Sequence, residues 1–295
     1  MMQAAPLGCR IGVEVTGLDL NRALQFQNGA ALANDIRAKM AESGLVLLRG
    51  QAKELEGCNQ VALSRWFGKP FDLPLRYQHV RSPAKQILRV SNDPEEGKVG
   101  VGTAGWHIDG VTYPTPFRFA LYHIVHVPQE GSTKFLRLED LANAFLRHQS
   151  EEWDKLWLEV VGSQADAEPV CHPFLFAHPS TQKPSVCLHT GKVRCFVWHK
   201  GTNRERATET EETFRLMERI QEEVVALPPE SLYSHNWQSG DLIISDNLAV
   251  AHLASAESQL AASENGLRVL HRVVTEGEHD LVPLVNGRAD ANPRL

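Results

Sequence analysis

Three segments set far apart in the chain constrain its fold most. Residues 117–127 (FRFALYHIVHV), 241–247 (DLIISDN, launched by Ser239-Gly240) and 267–274 (LRVLHRVV) are short and apolar-rich, and they read as strands. Residues 10–20 (RIGVEVTGLDL) alternate weakly and read as strand plus turn. Between these segments the period becomes helical. Residues 30–43 place Leu32, Ile36 and Met40 on one face, Gly44 supplies a C-cap, and the short strand LVLLRG follows. Further helices are expected over 55–67 (Leu55, Leu63, Trp66, Phe67), over 139–148, and over 151–161, with Trp153, Leu156, Trp157 and Val160 on one side. Another is expected over about 207–226, with Phe214, Met217, Ile220 and Val224 facing inward. SVCLHTGKVRCFVW (185–198) reads as a hairpin turning near Thr190-Gly191. The sum is a mainly β unit with flanking helices. No linker separates two halves, so a single domain over 1–295 is expected, long enough to bury a large core.

Composition excludes several classes. A net charge of -6 with no basic cluster argues against nucleic acid as a partner. No apolar run approaches the roughly 20 residues that span a bilayer. The N-terminal MMQAAPLGCRIG lacks the basic and apolar regions of a signal peptide. The five cysteines form no CxxC pair, which fits reduced, mostly buried thiols in a cytoplasmic protein and not a cysteine metal site.

The sharpest local feature is Trp106-His107-Ile108-Asp109-Gly110. In an extended strand, residues two apart project to the same side, so His107 and Asp109 can reach one metal ion while Ile108 turns away. An imidazole and a hard carboxylate suit the set of two His and one carboxylate that ferrous oxygenases use, with the opposite face left open. For a lone HxD, a surface His beside an Asp is the plainer reading. His252 is the best third ligand, and a satisfied core histidine is the plainer reading of it. His123, His126, His172 and His189 are alternatives, although His123 and His126 fall on opposite faces of one strand. In LRVLHRVV, Arg268 and Arg272 share a strand face about 13 Å apart, at about 3.3 Å rise per residue. Two such arginines either pair with anions, for which the guanidinium fork is suited, or lie on a solvent-exposed edge.

The order of motifs resembles the TauD/TfdA group of 2-oxoglutarate dioxygenases along nearly the whole chain. GVEVTGLDL and SGLVLLRGQ resemble that family's opening, followed by SRWFGKP, WHIDGVTYPTPFRFALY and GSTKF. CHPFLFAHPSTQKPSVCL, GDLIISDNLAVAH and GLRVLHRV resemble its later motifs. Two positions depart from the pattern: Gln182 stands where Gly is usual and Ser245 where Trp is common, both with effects expected on turn and packing only. The stretch SQLAASEN (258–265) looks like an insertion, and 93–105 is expected to be a mobile lid that sets substrate choice.

The resemblance implies a double-stranded β-helix (jelly roll) with flanking helices. It implies Fe(II) held by His107, Asp109 and His252, with 2-oxoglutarate and O2 as cosubstrates. Arg268 would grip the far carboxylate of 2-oxoglutarate, Thr133 would hydrogen-bond the same molecule, and Arg272 would face an acidic substrate. Arg118 and Lys134 are weaker candidates for a second cation in the pocket. The expected partner is a small anionic molecule such as a sulfonate, an amino acid or an acidic metabolite of specialised biosynthesis. Hydrogen removal from a C–H bond would end in hydroxylation by default, with desaturation or ring closure open. Halogenation is disfavoured because Asp109 is present. Family members are often homo-oligomers. The rival readings are a non-catalytic ligand-binding jelly roll and a zinc protein.

Overall fold

In the computed structural model, which describes residues 3–25, 29–51, 55, 57–148, 151–162, 167–285 and 288–289, the three separated strands meet in one sheet. Phe119–His126 lies between Leu242–Asp246 and Val269–Val274, antiparallel to both. Leu88–Ser91 closes one edge, and Leu45–Leu48, Val13–Thr16 and Gln3–Pro6 continue the other, giving seven strands. Alternation gives this sheet two apolar faces. Leu121, Val273, Leu242 and Ile244 pack beneath the helices Gly29–Ser43 and Gly57–Ser64, against Ile36, Met40, Val61 and Leu63. Ala120, Tyr122, Ile124, Leu270 and Ile243 face the other way, toward Phe135, Val250 and Trp237. Phe135 and Val250 belong to a second sheet, in which Ser132–Arg137 lies between Leu232–Asn236 and Val250–Ala254. The functional site forms between these two sheets.

Two four-stranded sheets extend the structure. One orders Arg206–Ala207, Val193–Trp198, Leu156–Val160 and Val170–Pro173. The other orders Pro184–Val186, Leu175–Ala177, Val282–Val285 and Arg288–Ala289. The expected hairpin over 185–198 is therefore not one. Its two halves pair in different sheets, and Cys187–Lys192 carries the chain between them. The expected helix over 151–161 is a short 3-10 turn, Trp153–Lys155, followed by the strand Leu156–Val160. There Leu156, Leu158 and Val160 are buried while Trp157 and Glu159 are half-exposed, a period of two.

Other elements fall close to their expected places. Gly29–Ser43 ends at Gly44, whose φ of 82° and N–H to Met40 O close the helix. A Cβ at Gly44 would also meet Val250 Cγ1 at 2.6 Å, so glycine is required twice over. Gly57–Ser64 is shorter than expected, while Leu138–Arg147 and Thr210–Ala226 match. On the last helix Ile220 and Val224 are buried, but Phe214 is 66% exposed and does not face inward. The insertion-like stretch is ordered: Asn265 Nδ2 donates to Glu130 O and Glu257 O, and its Oδ1 accepts from Glu130 N. Gln182 adopts φ 58°, the left-handed region that a glycine enters freely, which accounts for the residue usual at that position. All five cysteines are free, but only Cys187 is buried and Cys58 is exposed.

Candidate metal centre

The ligand residues are joined by backbone pairing across a sequence gap of more than a hundred residues. His107 N donates to His252 O (3.1 Å) and His252 N donates to His107 O (2.9 Å), so the two imidazoles stand side by side with centroids 4.2 Å apart. Asp109 follows two residues after His107 and is clamped by Asn247. Asn247 Oδ1 accepts from Asp109 N (2.8 Å), while its Nδ2 donates to Asp109 O (2.9 Å) and Phe117 O (2.7 Å). One donor atom from each of His107, Asp109 and His252 lies within 4.8 Å of the others, and all three residues are buried. Among the described residues, no other trio of His, Cys, Asp and Glu brings its donor atoms together in this way.

Protonation suits a metal. His107 Nδ1 donates to Gly105 O at 2.8 Å, which leaves Nε2 with its lone pair toward the site. Burial holds His107 below the ordinary histidine value, and burial together with His107 brings His252 to about 3, so both imidazoles are neutral at pH 7. Burial alone would raise Asp109, but Arg272 and the two histidines outweigh it and hold the carboxyl at about 2. Two neutral imidazoles and one ionised carboxylate, with no thiolate, form a donor set that fits Fe(II).

Arg272 lies beside the trio, its Nη1 against Asp109 Oδ1. It also lines a cavity of about 440 Å3 that includes His107 and Asp109. Phe71, Tyr113 and Phe117 form one wall, with centroids 4.7–5.4 Å apart. The expected lid supplies Lys98 to Gly102 and Ala104 to the lining. Its backbone is tied down by Lys98 N to Arg89 O and by Ala254 N to Gly102 O. Arg268 sits one residue before Val269–Val274, buried, with Nη1 lacking a hydrogen-bond partner among the described residues. Burial lowers it to about 10, so it remains a cation at neutral pH that calls for an anion. Thr133 is buried too, and its Oγ1 accepts from Trp237 Nε1 at 3.0 Å, leaving its own proton to donate. Neither Arg268 nor Thr133 lines the cavity.

Neither Arg118 nor Lys134, the candidates for a second pocket cation, lines the cavity. Arg118 is buried in a contact with Asp246 and also donates to Ser180 Oγ, and Lys134 is exposed on the far side of its strand. The cations that line the cavity with Arg272 are Lys98 and Lys192. His189 joins the lining with its ring 5.2 Å from that of His107, because the Cys187–Lys192 crossover runs beside His107. His172 is instead occupied with Val111 O at 2.8 Å. Sequence reasoning missed Tyr122, whose hydroxyl lies 3.3 Å from both Asp109 Oδ2 and His252 Nε2. Strand parity with Arg272, its cross-strand partner, was the signal that could have found it.

A family model described as taurine catabolism dioxygenase TauD, TfdA family, matches residues 3–274. The chain belongs to the TauD/TfdA family. This TauD/TfdA protein is 25% identical over 260 residues to an alpha-ketoglutarate-dependent 2,4-dichlorophenoxyacetate dioxygenase of Burkholderia sp. (strain RASC), covering 79% of this chain and 83% of that one. Among solved structures, a taurine dioxygenase from Burkholderia xenovorans superposes with TM-score 0.75 at 22% identity, covering 98% and 93% of the two chains. The structure of AAD-2 with Mn(II) and N-oxalylglycine superposes with TM-score 0.72 at 20% identity, covering 96% and 100%. The fold is thus the double-stranded β-helix with flanking helices. The protein is a 2-oxoglutarate-dependent non-haem iron dioxygenase, with Fe(II) as its metal and 2-oxoglutarate and O2 as cosubstrates. The zinc and non-catalytic readings give way to it. No helix among the described residues is long and apolar enough to cross a membrane.

Proposed function

We propose that this dioxygenase oxidises a C–H bond of a small organic anion with an apolar, ring-sized body, and that hydroxylation is its outcome. The observation that carries the reading is the His107–Asp109–His252 trio beside a cavity lined by both cations and aromatic rings. Lys98, Lys192 and Arg272 favour an anionic group, and the Phe71–Tyr113–Phe117 wall favours a flat apolar one. The Burkholderia relative, which acts on 2,4-dichlorophenoxyacetate, supports the same substrate type. The reading places the whole activity in one domain, and the five free thiols support a cytoplasmic enzyme.

In this reading His107 Nε2, His252 and Asp109 hold the Fe(II). When bound, Fe(II) with 2-oxoglutarate and O2 supplies the oxidant that takes hydrogen from an unactivated C–H bond. Arg268 and Thr133 bind 2-oxoglutarate, the first through its unpartnered guanidinium edge and the second through its free hydroxyl proton. Arg272 holds Asp109 and, as a residue lining the cavity, stands beside the substrate's anion. The aromatic wall excludes water from the reacting carbon.

The test is an anaerobic titration of the metal-free protein with Fe(II) and 2-oxoglutarate, followed by visible absorption. A weak charge-transfer band should require both additions, vanish in His107→Ala and demand at least tenfold more 2-oxoglutarate in Arg268→Ala. Succinate release should then be faster with aryl or aryloxy acids than with taurine. A folded protein that gives no band would refute the site. Equal turnover of taurine would refute the substrate class.

A further inference from the structure

The two carboxylate oxygens of Asp109 have different partners. Oδ1 meets Arg272 Nη1, whereas Oδ2 accepts from Tyr122 at 3.3 Å and lies 3.8 Å from His252 Nε2. Oδ2 is thus the oxygen turned toward the second imidazole. The Tyr122 hydroxyl is also 3.3 Å from His252 Nε2, so one buried phenol bridges a carboxylate and an imidazole of the trio. Its ring is held by Phe135 and His252, with centroids 6.4 and 5.5 Å away, and its strand is paired on both sides. Ser245 stands on the adjacent strand, opposite Ala120, on the face that carries the phenol, and its hydroxyl lies 3.5 Å from Ala120 O. Ser245 is the position where Trp is common in the resembling sequences. An indole there would occupy the same face as Tyr122, so the small side chain and the phenol fit together.

We propose that Tyr122 is a positioning residue for the metal: its hydroxyl sets the rotation of the Asp109 carboxylate and its spacing from His252 before the ion arrives. The inference rests on the reading of His107, Asp109 and His252 as the ligands. The phenol has one proton to give. Once the lone pair of His252 Nε2 is taken by a metal, that proton belongs to Asp109 Oδ2, and Arg272 keeps Oδ1. The carboxylate then cannot swing to offer its oxygens in another order. Partners that orient ligands in this way are typically worth about 10- to 100-fold in metal affinity.

The experiment is anaerobic calorimetric titration of the metal-free protein with Co(II), with its d–d absorption recorded in parallel, on the parent, Tyr122→Phe, Tyr122→Leu and His107→Ala. Tyr122→Phe keeps the ring and removes only the hydroxyl. Its Kd for Co(II) should rise about tenfold, with a changed d–d band and an unchanged unfolding midpoint of the metal-free protein. Tyr122→Leu should show the same loss of affinity. A Kd within twofold of the parent, or a tighter one, overturns the proposal, the latter by showing that the hydroxyl competes with the metal. Unfolding of both variants would also overturn it, making Tyr122 a structural residue. A parent that binds no Co(II), like His107→Ala, would instead remove the metal-centre reading itself.

Discussion

Tyr122 and His123 are neighbours in the chain, as are His271 and Arg272, and the sheet separates each pair. Tyr122 faces Arg272 across two strands on the site side, and His123 faces His271 on the helix side. All four are largely buried, and burial depresses His123 to about 4 and His271 to about 3, much as it depresses His252. Neutral buried imidazoles therefore do not mark the active face. The difference lies in partners. On the site side Tyr122 bridges Asp109 and His252, and Arg272 holds Asp109. On the helix side both ring nitrogens of His123 and Nδ1 of His271 lack hydrogen-bond partners among the described residues, as does Gln60 Oε1. Convergence of donors, not a shifted pKa, distinguishes a site from a polar group enclosed in a core.

The sharpest way to break this contrast is at Asn247, since the site face depends on its clamp. Asn247→Ala leaves Asp109 N and Phe117 O unpaired in a position that is 1% exposed, while Asp109 O keeps Phe117 N. Each buried orphan costs about 1–3 kcal/mol, so a loss of about 2 kcal/mol or more is expected in denaturant unfolding, together with loss of Co(II) binding. A loss under about 1 kcal/mol would mean that the Asp109 turn holds itself.

On the opposite face the expected effect is smaller and depends on pH. The His123 value in the folded protein lies below the ordinary 6.5, so the unfolded chain binds the extra proton first as pH falls. The penalty is absent above about pH 6.5, grows as pH drops, and levels off below about 4. At 1.36 kcal/mol per pKa unit, His123 accounts for about 2.5 kcal/mol of lost stability at pH 4.5. His123→Leu should match the parent within about 1 kcal/mol at pH 7.5 and exceed it at pH 4.5. His271, His172 and His189 leave a residual slope in both proteins. Identical pH profiles would show that the His123 ring is solvated by a route that its surroundings do not suggest.

The same contrast explains what could be read in advance. His107 and Asp109 were legible from their i, i+2 spacing, although His107 makes only isolated bridges and Asp109 opens a turn where an extended strand was expected, and the large sheet follows from three apolar runs. His252 needed a motif, because the bridge that brings it to His107 spans the whole central part of the chain. Trp153, Leu156, Trp157 and Val160 satisfy a helical period, yet Leu156, Leu158 and Val160 also satisfy a strand period. Pairing with Val193–Trp198 decided between them. Arg118 looked available, but Asp246, more than a hundred residues later, takes it. Lys98 and Lys192 reach the cavity from two connecting segments whose paths no local pattern encodes.

The finest test of the site face is Ser245. Its Oγ lies 3.5 Å from Ala120 O, on the face that carries the Tyr122 phenol, so it is a neighbour one step removed from Asp109. Ser245→Ala removes one neutral hydrogen bond, worth about 1 kcal/mol at most. The phenol still has Asp109 as its acceptor, so Co(II) affinity should fall less than threefold, well short of the loss in Tyr122→Phe. The order of effects is the informative part. If Ser245→Ala weakened the metal as much as Tyr122→Phe, the packing of the strand face that carries both residues, and not the phenol on Asp109, would set the carboxylate. If Ser245→Ala left both stability and affinity unchanged, serine would matter here for its size alone, as the residue that leaves room for Tyr122.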